Sequence, residues 1–357
     1  MIHRLTLAVL AAMLAVGQVC NLPLLKGRLQ TCPTTGAAPA PTRFTFKEPH
    51  MGTEFRIILY APDGETAHKA ADAAFARIAS LDATMTDYDP ASELMRLCAK
   101  SGGDPVKVSD ELFFVLSKAQ DTSRISDGAF DVTVGPVVRL WRQARRTGRM
   151  PDPQKLAAER ALVGWKDMVL DEKAHTVQLL KTGMRLDLGG IAKGYAADEG
   201  LAVLKTFGVT RALAAAGGDI AVSGPPPGAE GWRIAIAPLG EADADKEGPV
   251  LLLHDAAVST SGDAEQYVEI DGKRYSHIVD PKTGIGLVGR MSGTVVAPHG
   301  VIADSHTKIL CILGPEKAFS ILAKEEGVSA RFVHLTDDGK EETAVMKNFP
   351  PLTNPEK

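Results

Sequence analysis

Three short segments of this 357-residue chain carry side chains whose types and spacing could do chemistry. The first is Arg185-Leu186-Asp187-Leu188-Gly189-Gly190-Ile191-Ala192-Lys193-Gly194-Tyr195. Its pattern predicts a strand ending at Asp187, a turn through two glycines, and a helix with Lys193 in its first turn. A cation at that end opposes the helix dipole, which favours anions. A bound phosphate would reverse the penalty. The paired glycines would allow a ligand to approach closely, and their freed carbonyls could face a cation. A glycine-rich turn with a solvated lysine accounts for the same residues.

The second segment is Tyr275-Ser276-His277-Ile278-Val279-Asp280-Pro281-Lys282-Thr283-Gly284. A strand delivers His277 to a tight Asp-Pro-x-x-Gly turn. Histidine accepts protons near neutral pH, so His277 could activate a hydroxyl nucleophile. A half-buried strand histidine is the plainer alternative. The third segment, Ala303-Asp304-Ser305-His306-Thr307-Lys308, falls on a helix, where residues three and four after Asp304 share its face. A carboxylate with a hydroxyl there suits Mg²⁺, a hard cation that takes oxygen ligands. An acidic residue favouring a helix N-terminus is the commoner reading. Smaller pieces accompany these: Met51-Gly52-Thr53, Tyr88 with Ser92 and Leu94, and Asp127-Gly128-Ala129-Phe130-Asp131. Tyr88 and Phe130 could stack on an aromatic ring, or simply be core.

Several familiar sites are missing. No G-x-G-x-x-G follows a strand, and no G-x-x-x-x-G-K-[ST] phosphate loop is present. The nine histidines form no i, i+4 pair, and no G-x-S-x-G elbow occurs. None of the four cysteines (Cys20, Cys32, Cys98, Cys311) has a partner at the two-residue spacing of zinc or redox motifs. Cys98 and Cys311 sit in apolar helical patterns and read as core thiols. Cys20 and Cys32 flank a loop and could pair in an oxidising compartment.

The elements that must position these residues follow from periodicity. Glu54 to Tyr60 reads as a strand. Glu65 to Met85 reads as a helix, with Ala70, Ala74, Phe75, Ile78 and Leu81 at helical spacing. Another helix runs from Asp110 to Ile125 after the N-cap Ser109, and others lie around Val137 to Arg146 and after Pro151 and Pro153. Two or three strands are expected between Met168 and Leu188. Lys193 to Phe207 is a helix closed by Gly208. Arg211 to Ala216 and Ile220 to Val222 are strands around Gly217-Gly218-Asp219. Trp232 to Ala237 and Val250 to Ser259 are further strands. Asp271-Gly272 is a hairpin signal. Val301 to Leu313 is a helix ended by Gly314-Pro315, and a last helix ends near Gly327 before two final strands. Mixed elements with short β connections predict an α+β fold.

Hydrophobic residues are 45% and charged residues 24% of the chain, so a substantial core is expected. The net charge of −4 excludes a generally basic nucleic-acid binder. Arg4 precedes an apolar run from Leu5 to Val16, too short to span a bilayer, which needs about 20 residues. It has the form of an export signal, with Ala15-Val16-Gly17 as small residues for cleavage. Cys20 raises lipid attachment as an alternative, against which stands the bulky Val19. The expected organisation is a leader over 1–19, a disordered linker over 20–43 rich in Pro, Thr and Ala, and a folded domain over 44–350.

Taken in order, these segments resemble the FAD:protein FMN transferase family, also called the ApbE family. The resemblance runs from Met51 to Phe332 and also takes in Thr260-Ser261-Gly262. It implies a two-lobed α+β fold with FAD in the cleft between lobes. It implies an enzyme that cuts the FAD pyrophosphate, releases AMP and joins FMN by a phosphoester to a threonine or serine of a partner protein. By position, Met51, Tyr88, Ala129, Phe130, Asp131, Asp187, Lys193 and Ile278 would line the FAD site, with His277 as the base. The Gly190 backbone and the Asp304 side chain would hold Mg²⁺. The family is typically exported, often as a lipoprotein, so a periplasmic chain associated with the membrane through its N-terminus is expected. FAD hydrolysis to FMN and AMP, and a non-catalytic flavin carrier, remain alternative readings.

One departure bears on the metal. The family usually has a threonine four residues after the metal aspartate, where this chain has Lys308. Lys308 could ion-pair with Asp304 and fill the metal's place with its ammonium, or Thr307 could supply the oxygen. Altered Mg²⁺ binding is expected. Separately, Arg139, Arg142, Arg145, Arg146 and Arg149 form a basic run that reads as a solvated helix face or as a dock for an acidic partner or anionic lipid.

Overall fold

Alternation along the first two strands sets the architecture. The computed structural model describes residues 40–239, 248–262, 266–336 and 338–354; the leader, Cys20 and Cys32 lie outside them. Strand Thr53–Ala61 turns Phe55, Ile57, Leu59 and Ala61 to one face and Ile58 and Tyr60 to the other. The first set packs under helices and the second against a smaller apolar cluster, so this strand is covered on both sides. Its partner, Thr42–His50, begins two residues before the expected domain start.

Eight strands form one antiparallel sheet. In spatial order they are Thr42–His50, Thr53–Ala61, Ala212–Ala216, Asp219–Val222, Ala256–Gly262, Met291–Ala297, Ser329–Leu335 and Glu341–Val345. The turn joining the first two is Met51-Gly52, with φ of 49° and 73°. A bulky residue rarely adopts positive φ. Here the Met51 N–H is held by the Asp82 carboxylate at 2.8 Å, which fixes the turn.

Helix Gly64–Met85 starts on an Asp63 cap that accepts from the Thr66 N–H at 2.8 Å. It buries Ala67, Ala70, Ala71, Ala74, Ile78 and Leu81, and its small residues let helix Ala192–Thr206 lie close beside it. The third helix on this face, Gly300–Leu322, kinks at Gly314-Pro315, where the sequence predicts the break between two helices.

Helices Ala192–Thr206 and Gly300–Leu322 cross with backbones nearly touching. A Cβ on Gly194 would strike the Gly300 carbonyl, and one on Gly300 would strike that of Gly194. The closeness permits an exchange of caps. Asp304 accepts from the Gly194 N–H at 3.1 Å, in the first turn of the other helix. In return, Asp198 accepts from the N–H groups of Gly300 and Val301 at 2.7 and 3.0 Å. Each helix satisfies orphan donors of its neighbour.

A third cluster stands apart from the large sheet. Helix Gly135–Thr147 presents Val137, Trp141 and Ala144 to a three-stranded sheet of Tyr267–Ile270, Lys273–Val279 and Gly286–Val288. Asp271 and Gly272 turn its hairpin at φ of 51° and 70°, as that dipeptide predicts. Trp141 ties the piece together. Its indole N–H donates to the Gly284 carbonyl at 2.8 Å, and its ring lies 5.2 Å from that of Tyr275.

Two expected strands differ. Only Met168–Asp171 and Thr176–Leu179 form between Met168 and Leu188, and no strand ends at Asp187. Arg185 makes a single parallel bridge to Val134, and the Asp187 N–H goes to the Val132 carbonyl at 2.8 Å. The neighbour is a loop, so no ladder can extend. The run Val250 to Ser259 splits into Val250–Leu253 and Ala256–Gly262 in different sheets. Asp255, at φ 45°, makes the break. Cys98 and Cys311 are buried in the core, as expected. Among the described residues no helix is long and apolar enough to cross a membrane.

His306 gives the fold a pH dependence. It is 3% exposed, its Nδ1 lies 3.1 Å from the Ser305 hydroxyl, and its Nε2 meets no hydrogen-bond partner among the described residues. Burial pushes its pKa down to about 4. Between about pH 6.5 and 4 the unfolded chain binds a proton that the folded chain refuses. Stability is therefore fully present above about pH 6.5 and is lost as pH falls toward 4, by on the order of 3 kcal/mol. Urea unfolding at pH 7.5 and pH 5 should show this loss, and His306→Leu should reduce the dependence, the buried His277 keeping its own share. Equal slopes in both proteins would assign the acid sensitivity elsewhere.

Candidate functional site

A cleft of about 990 Å³ opens where the three apolar clusters meet, at the top of the range for ligand pockets, about 300–1,000 Å³. Leu188 and Ala192 reach it from the main core, Ile234 and Val258 from the second cluster, and Val138 and Val279 from the third. Met51, Tyr88, Ala129, Phe130, Asp131, Asp187, Lys193 and Ile278 all line it, as do Gly190 and His277. Asp304 and Thr307 do not. Both are fully buried behind Lys308, which does line the cleft.

The rim is built by the arginine helix. Arg142 pairs with Asp87 and, at 2.7 Å, with Asp187, and its guanidinium rides 4.5 Å above the Tyr88 ring. Tyr88 is 77% exposed, so the rest of its surface remains free to stack. Burial pushes the Asp187 carboxyl up, Arg142 beside it draws it back, and Asp87 adds to the rise. Arg145 also lines the cleft. The basic run is thus neither a uniformly solvated face nor one uniform dock, since two of its members face the site. Their i, i+3 spacing was the available signal. Asp131 plays an internal part: its carboxylate accepts from the Thr133 N–H, the Thr133 hydroxyl and the Trp165 N–H at 2.7–2.9 Å. It shapes the loop that holds Ala129 and Phe130.

The cleft floor carries two ammoniums, each paired with a buried carboxylate. Lys193 stands in the first turn of a helix whose N-cap, Ile191, offers no side-chain cap. Its ammonium pairs with Asp219, a buried carboxylate that also accepts from the Ser259 hydroxyl at 2.6 Å. Burial alone would raise the Asp219 carboxyl, but Lys193 and then Lys308 hold it below its ordinary range. Lys308 pairs with Asp304 at 2.5 Å and donates to the Ser261 hydroxyl at 3.0 Å. Two ammoniums thus lie at a helix N-terminus, a natural anion seat. Asp219 is a functional residue that the sequence placed in a glycine-rich turn without assigning it a role.

His277 is half-buried on the hairpin strand. A carbonyl can only accept, so the 3.1 Å contact from Nδ1 to the Gln266 oxygen makes Nδ1 the protonated nitrogen. Nε2 is left as an acceptor with no hydrogen-bond partner among the described residues. Burial above all pushes the pKa down to about 4; the Gln266 bond works the other way, and Lys308, Arg145 and Lys193 add to the fall. The imidazole is neutral at pH 7, as a base must be.

The Mg²⁺ set that the resemblance implies does not fit. Both Asp304 oxygens are engaged, by Lys308 and by the Gly194 N–H. The Thr307 hydroxyl donates to the Asp304 carbonyl at 2.7 Å and meets Ser261 at 2.9 Å, so it offers no oxygen to the cleft. Gly190 faces the stem of Lys308, whose Cε would lie 3.2 Å from a Cβ there.

Fold and site together define an α+β chain with a deep cleft for an extended anionic ligand, set beside a neutral imidazole. Residues 51–332 match the family model described as the ApbE family. The chain is 34% identical over 285 residues to a FAD:protein FMN transferase of Klebsiella pneumoniae, covering 79% of this chain and 86% of that one. It is similar in structure to the flavin transferase ApbE from Vibrio cholerae, with TM-score 0.77 and 28% identity over 87% of this chain and 98% of that one. The apo form of Pseudomonas stutzeri flavinyl transferase ApbE gives TM-score 0.75 and 29% identity over 87% and 96%. This chain belongs to the ApbE family.

Proposed function

We propose that this chain is a FAD:protein FMN transferase. The observation that carries the reading is the placement of a bare His277 Nε2 on the same cleft as Lys193 and Lys308. The relatives' shared activity supports it. FAD would lie along the cleft with its ring near Tyr88 and Phe130 and its pyrophosphate toward the ammonium pair. The partner's serine or threonine hydroxyl attacks the phosphorus of the FMN half. Its proton passes to His277 Nε2, the bond from that phosphorus to the bridging oxygen breaks, and AMP leaves with the charge. Lys193 and Lys308 face the phosphates as charge shifts toward AMP. Mg²⁺ is the family's expected cation, and its chemistry would be to neutralise the phosphates. The donors here are engaged as described, so the chain's own groups carry the steps above.

The same proposal puts the protein in the periplasm or otherwise outside the cytoplasm, with membrane attachment, where it occurs, at the N-terminus. Residues 1–20 support this, as an export signal followed by Cys20. No nucleic acid partner is part of it. Incubation with FAD and a candidate acceptor protein tests the activity. A covalent fluorescent acceptor supports transfer, free FMN would point to hydrolysis instead, and unchanged bound FAD to a carrier.

A further inference from the structure

Lys308 is more than a departure from a family pattern. Asp304 is fully buried, and its charge is matched by one ammonium four residues along the same helix. The lysine side chain is 13% exposed and forms part of the cleft wall. Its stem lies along Gly190, where a Cβ would come within 3.2 Å of the Lys308 Cε and 3.5 Å of the Phe130 ring. An ammonium has three donors. Among the described residues Asp304 and Ser261 take two, which leaves the third for a ligand.

From this arrangement we infer that Lys308 is a tethered cation that seats the FAD pyrophosphate directly, and that the protein binds FAD without a divalent metal. The inference rests on the flavin reading of the cleft. Lys308 stands across from Lys193, and both act on Asp219, so the floor is a quartet of two ammoniums and two carboxylates. Each ammonium has a carboxylate, yet among the described residues the ammonium of Lys308 keeps a donor for an anion. Mg²⁺ would need carboxylate and other oxygens in a tight octahedron. To reach Asp304 it would have to expel Lys308 and leave that ammonium beside a divalent charge. Buried charges that lose a partner in this way are strongly penalised.

Calorimetry and flavin fluorescence decide the matter with FAD and MgCl₂ as the probes. For the unmodified protein, the FAD dissociation constant in EDTA and in millimolar MgCl₂ should agree within about twofold, since each tenfold corresponds to about 1.4 kcal/mol. Titrating MgCl₂ into the FAD-loaded protein should give no saturable heat. Lys308→Thr should weaken FAD binding in EDTA by about tenfold or more, with MgCl₂ restoring most of it. Micromolar Mg²⁺ binding to the unmodified protein, or an FAD affinity that rises with Mg²⁺, would overturn the inference while leaving the flavin site intact. Failure to bind FAD under either condition would overturn both. The measurements on the unmodified protein stand even if Lys308→Thr does not fold.

Discussion

Replacing His277 by alanine is expected to lower FMN transfer by about 100- to 10,000-fold, the range a positioned general base supplies. FAD binding should change little. The Nδ1–H bond to Gln266 commits the ring to one tautomer, which leaves Nε2 as the nitrogen that can take a proton. The pKa of about 4 makes the base available across the neutral range. For the free protein, kcat/KM should therefore fall only as pH drops toward 4. A bound pyrophosphate offsets Lys308, Arg145 and Lys193, which all depress this pKa, so the limb in kcat should lie at higher pH. Product formation by His277→Ala at the unmodified rate would remove the histidine from the reaction. An acid limb in kcat below that in kcat/KM would remove the phosphate from its neighbourhood.

Trp141→Ala should cost about 3–5 kcal/mol, as truncation of a fully buried tryptophan does. The residue is 1% exposed at the centre of the third cluster and holds the turn after His277 through Gly284. The cost therefore falls on the hairpin that carries His277 and Ile278. Transfer should decline before the large sheet unfolds. Trp141→Phe keeps most of the packing and leaves the Gly284 carbonyl without its donor, so about 1–3 kcal/mol is expected. Urea titration followed by tryptophan-independent circular dichroism measures both. A loss below about 1 kcal/mol for alanine would mean that the hairpin does not depend on this anchor.

Much of this was legible in the sequence because it is local. Ser109 as a cap, Asp271-Gly272 as a hairpin and Gly314-Pro315 as a helix break each act within a few residues. Lys308 was legible for the same reason, since four residues along a helix is one turn. The strand expected at Asp187 failed because a strand needs a partner, and its neighbour is a loop. The roles of Arg142 and Asp219 were hidden for a related reason. Arg142 meets Asp87 and Asp187, far away in sequence, and Asp219 meets Lys193 across two elements. The i, i+3 spacing puts Arg142 and Arg145 on one face, but it does not say that this face meets a cleft.

The exchanged caps have a consequence for motion. Fraying at the start of helix Ala192–Thr206 would cost Asp304 one of its two partners, and fraying at the start of Gly300–Leu322 would cost Asp198 both amide donors. Neither end can open alone, so the two should behave as one slowly exchanging unit, with the amides of Gly194 and Gly300 released together. That unit is the floor on which both ammoniums stand. Any breathing that admits a large ligand is then left to the other parts of the cleft wall, among them the exposed Tyr88.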